Sequence, residues 1–141
     1  MILRHVKYHY VIYGDGDSSY GPITPKRLSP GAKRFWNRYG LGDAEEAVVA
    51  YENGRLVGFF RFSVGERFRL RTDPAAIMRL VAGGTWVDTS ARRQGLGKRM
   101  WKYAIERTKP DEIDVSVVSR GGGSLVQSLQ REYRTLRWDT Y

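Results

Sequence analysis

The chain has 141 residues, and its 24 Lys and Arg against 15 Asp and Glu give a formal net charge of +9. The sequence has no cysteine and only two histidines, so disulfides, thiolate metal sites and a cysteine nucleophile are excluded. It has neither a membrane-spanning run of about 18 apolar residues nor a signal peptide. These features predict one cytoplasmic domain over residues 1–141, and the positive charge predicts an anionic partner such as a nucleotide, a nucleic acid or an acidic protein surface.

The first half of the chain predicts a strand, two short helices and a hairpin. Residues 2–13 alternate in the way expected of a strand with one buried face, and turn residues follow at 14–22. Residues 24–40 favour two helices, because Pro30 interrupts the pattern. Residues 45–64 predict a hairpin around Asn53-Gly54, a dipeptide that tolerates positive φ.

The middle of the chain predicts a further strand and then a helix. The alternation continues over residues 66–72. Residues 73–84 carry helix signals, with Asp73 as N-cap, Pro74 at the first position and Gly83 at the end. Residues 85–88 predict a short strand.

The last third of the chain predicts alternating helices and strands. The helix over residues 94–109 places Leu96, Met100, Tyr103 and Ala104 on one stripe. A strand over 113–118, a loop over 119–123, a helix over 124–133 with Ser124 as a candidate N-cap, and a strand over 136–141 complete the chain. The unit from 85 to 118 predicts two parallel strands joined by a right-handed crossover, within an α/β domain.

The stretch SARRQGLGKRM, residues 90–100, joins a strand to a helix through two glycines and four cationic side chains. A helix N-terminus offers unpaired N–H groups that suit a phosphate, and glycines at 95 and 97 let an anion approach the backbone. The stretch therefore predicts a pyrophosphate site, with Arg92, Arg93, Lys98 and Arg99 adding positive charge. The alternative is a glycine-softened turn with a solvated basic surface. The pattern lacks the third glycine of a dinucleotide fingerprint and the Lys-Ser/Thr ending of a P-loop.

Residues 86–106, WVDTSARRQGLGKRMWKYAIE, resemble the acetyl-CoA-binding motif of the GCN5-related N-acetyltransferase (GNAT) family. Arg92, Gly95 and Gly97 occupy the motif positions, and Val87 stands at the apolar strand position. Thr89 and Arg93 replace the proline and glycine that the family often has. The resemblance implies an α/β fold with a mixed, mostly antiparallel sheet, a central splayed pair of parallel strands, and helices on both faces.

The same resemblance implies an acetyl-CoA-dependent N-acetyltransferase in which a primary amine attacks the thioester directly. Coenzyme A would lay its pyrophosphate on the N–H groups of residues 93–98 and its pantetheine arm along Trp86 and Val87. A backbone N–H near Val87 would polarise the acetyl carbonyl and stabilise the oxyanion. The coenzyme contacts implied are Trp86, Val87, Arg92, Arg93, Gln94, Gly95, Leu96, Gly97, Lys98 and Ser124, and no metal is implied.

The acid and base are less well defined by the resemblance. Many family members use a tyrosine of the last helix as general acid, and Gln130 occupies that position here. Tyr133, one helical turn further on, is the candidate substitute. Three carboxylates, at Glu45, Glu46 and Asp88, are candidates to deprotonate the amine through water.

Two other functions stay open at this stage. The acceptor could be carried on an aminoacyl-tRNA, or the chain could be a non-catalytic GNAT-fold module that binds nucleic acid or protein. A basic strand face is the candidate RNA contact, and an ordinary solvated strand face is its alternative. The basic strand face consists of Arg61, Arg67, Arg69 and Arg71. His5 and His9 are assigned to a strand face, and a homodimer is also possible.

Overall fold

The computed structural model describes residues 1–7, 10–12, 18–20, 30, 46–68, 76–116 and 120–140. Of the residues 24–40, for which two helices are predicted, the structure describes only Pro30, which is helical; the others lie outside the described residues. His9, Glu45, Arg69, Arg71 and Asp73 also lie outside them.

Among the elements that the structure describes, six strands come first, and helices and strands alternate after them. In chain order they are β1 (Ile2–Lys7), β2 (Tyr10–Ile12), β3 (Ser18–Tyr20), β4 (Glu46–Glu52), β5 (Arg55–Phe68), β6 (Ala76–Val87), a short 3-10 helix (Thr89–Ala91), α1 (Leu96–Thr108), β7 (Glu112–Val115), α2 (Arg120–Glu132) and β8 (Arg137–Thr140).

Six strands form one mixed sheet in the order β1-β4-β5-β6-β7-β8. The first three pairings are antiparallel, whereas β6–β7 and β7–β8 are parallel. The hairpin between β4 and β5 turns at Asn53 and Gly54 with φ of 52° and 77°, as predicted. The single strand predicted over residues 2–13 is divided, because β2 pairs with β3 in a separate small sheet.

The prediction of a helix over residues 73–84 is wrong. Residues from Ala76 onward form β6, which pairs with β5 along its whole length. The N-cap, proline and glycine signals are local and weak, whereas β5 supplies a 14-residue ladder partner and buries Leu80 completely. The two strands therefore form the hairpin that the GNAT resemblance leads one to expect.

A β-bulge in β6 sets which side chains face the helices. Phe62 pairs with Ala82 but Phe60 pairs with Thr85, so β6 has one extra residue there. Gly83 is required at this point, because a Cβ on it would stand 2.8 Å from the carbonyl oxygen of Arg61. The bulge reverses the alternation and turns Thr85 toward α1, where its Oγ1 accepts a hydrogen bond from Trp101 Nε1 at 2.9 Å.

Helix α1 packs on the sheet through its predicted stripe. Leu96, Met100 and Ala104 are buried in one cluster with Ile113 of β7, and Tyr103 is partly buried against it. Residues Val126 and Leu129 of α2 join the same cluster, so both helices cover one face of the sheet.

The loop predicted over residues 119–123 and the N-cap role of Ser124 are wrong. Helix α2 begins at Arg120, so Ser124 lies inside it and is exposed. Glycine costs about 1 kcal/mol relative to alanine in a helix. Packing of the α2 side chains Leu125, Val126 and Leu129 against the core outweighs that preference.

Part of the opposite face of the sheet, around β4, β5 and Trp86, is also buried. Phe59 stacks on Trp86 with ring centroids 5.5 Å apart, and Ala47 is fully buried. Arg61 is only 1% exposed on this face, which corrects its assignment to an exposed basic face. The alternation of the strand predicted that Arg61, which stands between two phenylalanines, points to solvent. Alternation alone does not distinguish a solvent-exposed face from a second buried face.

The parallel strands β6 and β7 pair only over a short length. Their register runs from Arg79–Glu112 to Val81–Asp114, and beyond it β6 continues to Val87 with no strand partner on that side in the described part of the chain. The expected splay of the central parallel pair is therefore present. It leaves one edge of residues 82–87 open.

Candidate coenzyme site

A cavity of about 530 Å³ lies where the open edge of β6 meets the start of α1. Its walls come from β6, the loop that follows, the first turn of α1 and the first two turns of α2. The lining residues are Thr85, Trp86, Val87, Ala91, Arg92, Arg93, Gly95, Leu96, Gly97, Lys98, Gly121, Gly122 and Leu125.

The backbone of β6 presents hydrogen-bonding groups to this cavity. The N–H of Asp88 donates to the carbonyl of Val57 at 2.8 Å, so it points toward β5. Because N–H groups alternate between the two edges of a strand, the N–H of Val87 points toward the splayed side. The carbonyl of Val87 accepts a hydrogen bond from Arg92 Nε at 3.1 Å. The Val87 N–H therefore lies on the edge where an extended ligand could pair.

Asp88 organises the loop that leads to the helix. Its carboxylate accepts hydrogen bonds from the N–H of Ser90 at 3.2 Å and from the Ser90 hydroxyl, and it lies 3.7 Å from Arg55 Nη2. The hydrogen bonds from Ser90 hold the pKa of Asp88 below its usual value, and Arg55 adds to this. A carboxylate occupied in this way is a weak proton acceptor, so its geometry does not favour Asp88 as a base.

The N-terminus of α1 faces the cavity without a side-chain cap. Gly95 at the N-cap position has φ of 71°, and the first turn contains no acidic residue. The first helical hydrogen bond runs from Arg99 N–H to the Gly95 carbonyl at 3.0 Å, so the three preceding N–H groups have no helical acceptor. Leu96, Gly97 and Lys98, which carry these donors, all line the cavity. This arrangement fits a pyrophosphate.

The four cationic side chains of the loop differ in their surroundings. Arg92 and Arg93 are exposed at the cavity. Lys98 instead ties α1 to α2, with Nζ 2.7 Å from Ser128 Oγ and 2.5 Å from Glu132 Oε1. Arg99 is exposed, with its guanidinium 3.9 Å from Met1 Sδ. Direct phosphate contacts from side chains are thus expected from the two loop arginines.

Most coenzyme contacts expected from the sequence line the cavity, and Gln94 and Ser124 do not. The sequence interpretation missed Thr85, Ala91, Leu125 and two glycines of α2. Gly121 and Gly122 could have been found, since consecutive glycines at an element boundary also indicate close approach of a ligand to the backbone.

The structure does not bring Tyr133 to the cavity. Its hydroxyl donates to Glu106 Oε1 at 3.1 Å, and burial together with this contact raises the pKa of Tyr133 to about 12. Glu106 is ten residues along α1 from Leu96, which at about 1.5 Å per residue is roughly 15 Å from the cavity end. Gln130 borders a separate surface depression with Arg131 and Arg134.

Glu46 also lies away from the cavity. Its Oε1 is 2.7 Å from His5 Nε2, and the imidazole stacks on Phe62 with centroids 5.6 Å apart. Arg107 Nε donates to His5 Nδ1 at 3.5 Å. Among the described residues, no group of three or more His, Cys, Asp or Glu side chains is placed to hold a metal. None of the described helices is long and apolar enough to cross a membrane.

Comparison with known families places this cavity in context. Residues 15–118 match the family model described as the acetyltransferase (GNAT) family. The chain belongs to the GNAT family. Acetyl-CoA is the coenzyme of GNAT acetyltransferases, and the uncapped helix N-terminus described above has the donors that its pyrophosphate requires.

Solved structures similar to this GNAT chain show the same fold. A ribosomal-protein-alanine N-acetyltransferase from Brucella melitensis biovar Abortus 2308 is 18% identical, covers 82% of this chain and 81% of its own, and has a TM-score of 0.51. A transcriptional regulator from Bacillus halodurans C-125 is 19% identical, with coverage of 77% and 71% and a TM-score of 0.52. A comparison with curated protein sequences finds no match.

Replacing Arg92 tests its contribution to this GNAT site. A charge-assisted hydrogen bond is worth about 1.5–3 kcal/mol, so we expect Arg92→Ala to weaken acetyl-CoA binding about ten- to a hundredfold. Calorimetric titration measures the affinity, and the melting temperature without ligand separates a lost phosphate contact from a loosened loop. Arg92→Lys is the matched control, because it keeps the charge but not the Nε hydrogen bond to Val87. An unchanged affinity in Arg92→Ala would exclude the phosphate contact.

Proposed function

We propose that this chain, acting as a single domain, transfers an acetyl group from acetyl-CoA to a primary amine by direct attack of the neutral amine on the thioester. The observation that carries the proposal is the meeting of an open strand edge with an uncapped, acid-free helix N-terminus around one cavity. An elongated ligand with an anionic end and an amide-containing arm suits both features at once.

The coenzyme supplies the acetyl group in a thioester, and the protein binds and orients it. The N–H groups at Leu96, Gly97 and Lys98 hold the pyrophosphate, and the loop arginines add charge-assisted hydrogen bonds. The open edge of β6 pairs with the pantetheine arm, and the Val87 N–H donates to the acetyl oxygen, where negative charge develops. No nucleophilic side chain is required, which agrees with a sequence free of cysteine.

Protonation of the leaving thiolate is proposed to come from water. A thiol has an ordinary pKa of about 8.5, so a thiolate leaves at neutral pH with little assistance. Tyr133 has no part in this chemistry, because its hydroxyl is bound to Glu106 at the far end of α1.

The proposal is tested by release of free thiol from acetyl-CoA. Because the chain has no cysteine, a thiol-reactive dye detects only coenzyme A. We expect amine-dependent release with at least one member of a panel of tyramine, tryptamine, spermidine and Nα-acetyl-lysine methyl ester. Mass spectrometry of the acetylated amine confirms transfer and excludes hydrolysis. Tight coenzyme binding without transfer to any amine would favour a non-catalytic module.

An acceptor carried on aminoacyl-tRNA is the second candidate and has less support. The strand face that suggested it includes Arg61, which is buried. A steep fall in RNA affinity with added salt would support the candidate, because each neutralised phosphate releases counterions. We expect no such salt dependence at sub-micromolar RNA concentrations.

A further inference from the structure

The hydroxyl of Thr85 lies in the wall of the coenzyme cavity and is held by Trp101 of α1. Trp101 Nε1 donates a hydrogen bond to Thr85 Oγ1 at 2.9 Å. An indole nitrogen is a donor only, so the hydroxyl is the acceptor in this contact. Thr85 donates to no acceptor among the described residues, and it lines the cavity, so its hydroxyl hydrogen is available to a ligand there.

The indole that holds this hydroxyl has a fixed position. Trp101 is only 2% exposed, and its ring stacks on Phe60 with centroids 4.3 Å apart and an interplanar angle of 15°. A close-packed core does not let a ring of this size turn aside. Because the indole N–H occupies one side of Thr85 Oγ1, the hydroxyl hydrogen is restricted to directions away from Trp101.

Thr85 lies between the first turn of α1 and the position proposed for the acetyl group. Its Cγ2 is 3.8 Å from the place of a Cβ on Gly97. Val87, whose N–H is proposed to hold the acetyl oxygen, is two residues further along β6, which is about 6.6 Å. One hydrogen bond at each end of a thioester group spans this distance. A thioester with its oxygen on the Val87 N–H therefore has its sulfur within reach of the Thr85 hydroxyl.

The other polar side chains that line the cavity are directed elsewhere or lie in the loop. Among the described lining residues, Thr85 carries the only hydroxyl. Arg92 Nε already donates to a backbone carbonyl, and Lys98 Nζ turns to α2. The indole of Trp86 stacks on Phe59 on the opposite face of the sheet. Thr85 is therefore the side chain best placed to donate to a group deep in the cavity.

We propose that the Thr85 hydroxyl donates a hydrogen bond to the leaving sulfur of the thioester and that Trp101 positions it. This inference rests on the proposed acetyl transfer. The amine nitrogen forms the C–N bond as the C–S bond breaks, and the electron pair of the C–S bond goes to sulfur. Water takes the proton that the nitrogen loses and gives one to the thiolate, while Thr85 keeps its own. The hydroxyl thus stabilises the sulfur while it carries negative charge.

Thr85→Val tests the assignment because it keeps the shape of the side chain and removes the hydroxyl. A hydrogen bond to a charged acceptor is stronger than one to a neutral acceptor, so we expect the pKa of the thiol of bound coenzyme A to rise by about one pH unit and kcat to fall about tenfold. NMR of coenzyme A labelled at the carbon bonded to sulfur follows the thiol titration without any turnover. The dissociation constant at about pH 6.5, where the thiol is neutral, should change less than threefold. Thr85→Ser keeps the hydroxyl and should resemble the wild type.

A double variant separates this role from support of the core. Thr85→Val alone leaves the Trp101 N–H buried without its acceptor, so the melting temperature should fall. Thr85→Val/Trp101→Phe also removes that N–H, so the melting temperature should recover in part while the thiol pKa stays raised. A thiol pKa that returns to the wild-type value in the double variant would show that the hydroxyl serves only the indole, and it would overturn the proposal.

Thr108→Val is the matched control, because the Thr108 hydroxyl donates at 2.7 Å to the carbonyl of Ala104 in the helix that carries Trp101. It should change neither the thiol pKa nor kcat. A wild-type thiol pKa or a wild-type kcat in folded Thr85→Val would overturn the inference and leave the acetyl transfer intact. If the wild type acetylates no amine, the proposed function fails, whereas the thiol titration still decides whether Thr85 contacts the sulfur.

Discussion

Gly97→Glu is expected to raise the dissociation constant of acetyl-CoA at least 100-fold, about 2.7 kcal/mol, with the fold intact. A Cβ at this position stands at ordinary distances, 3.7 Å from Leu125 Cδ2 and 3.8 Å from Thr85 Cγ2, so the helix accepts a side chain. The carboxylate would enter the cavity, compete for the N–H groups of the first turn, and repel the pyrophosphate. Isothermal titration with acetyl-CoA measures the effect.

The matched control for this prediction is Gln94→Glu. It adds the same charge to the same loop at a residue that does not line the cavity, so we expect a loss of affinity below tenfold. Gly95→Glu should also abolish binding, but its backbone φ of 71° adds strain and makes it the less clean variant. Tight binding by Gly97→Glu would show that the pyrophosphate does not lie on this helix.

Gly83→Val is expected to destabilise the protein by about 3 kcal/mol, because the added Cβ would lie 2.8 Å from the backbone oxygen of Arg61. Because the contacted atom belongs to the backbone, it cannot move away as a flexible side chain would. Either the bulge shifts or the pairing between β5 and β6 opens. The melting temperature should fall by roughly 10 °C. Since the bulge sets which way Thr85 and Val87 face, coenzyme affinity should fall as well.

Gly65→Val controls for glycine replacement in the same strand pair. Gly65 pairs with Arg79, and a Cβ on it would meet no atom within 4 Å. We expect its melting temperature to stay equal to that of the wild type or to rise. An equal drop in both variants would attribute the effect to general intolerance of β5 and β6 and not to the bulge.

The sequence was a reliable guide where the signal is local and strong. Asn53-Gly54 turns a hairpin because its two positive φ angles are available to few other dipeptides. The stripe from Leu96 to Ala104 packs on the sheet because helical periodicity and burial coincide. The glycine loop at 95 and 97 stands beside a helix N-terminus because strand, glycine and helix follow one another directly in the chain.

The sequence was misleading where long-range pairing outweighs local preference. Residues 76–84 carry helix end signals yet lie in β6, because a 14-residue β5 is available as partner. Gly121 to Gly123 suggested a loop yet lie in α2, because the hydrophobic residues that follow anchor the helix to the core. Both outcomes depend on pairing or packing between different elements, which the pattern within a single segment does not report.

By itself the sequence determined the family motif, the glycine loop between a strand and a helix, and the absence of any cysteine side chain. Only the tertiary structure decided which side chains meet there. It placed the Tyr133 hydroxyl on Glu106, buried Arg61 in the sheet, and turned Thr85 toward Trp101 at the bulge. Such outcomes depend on contacts between residues far apart in the chain, and the packing of the whole sheet fixes them.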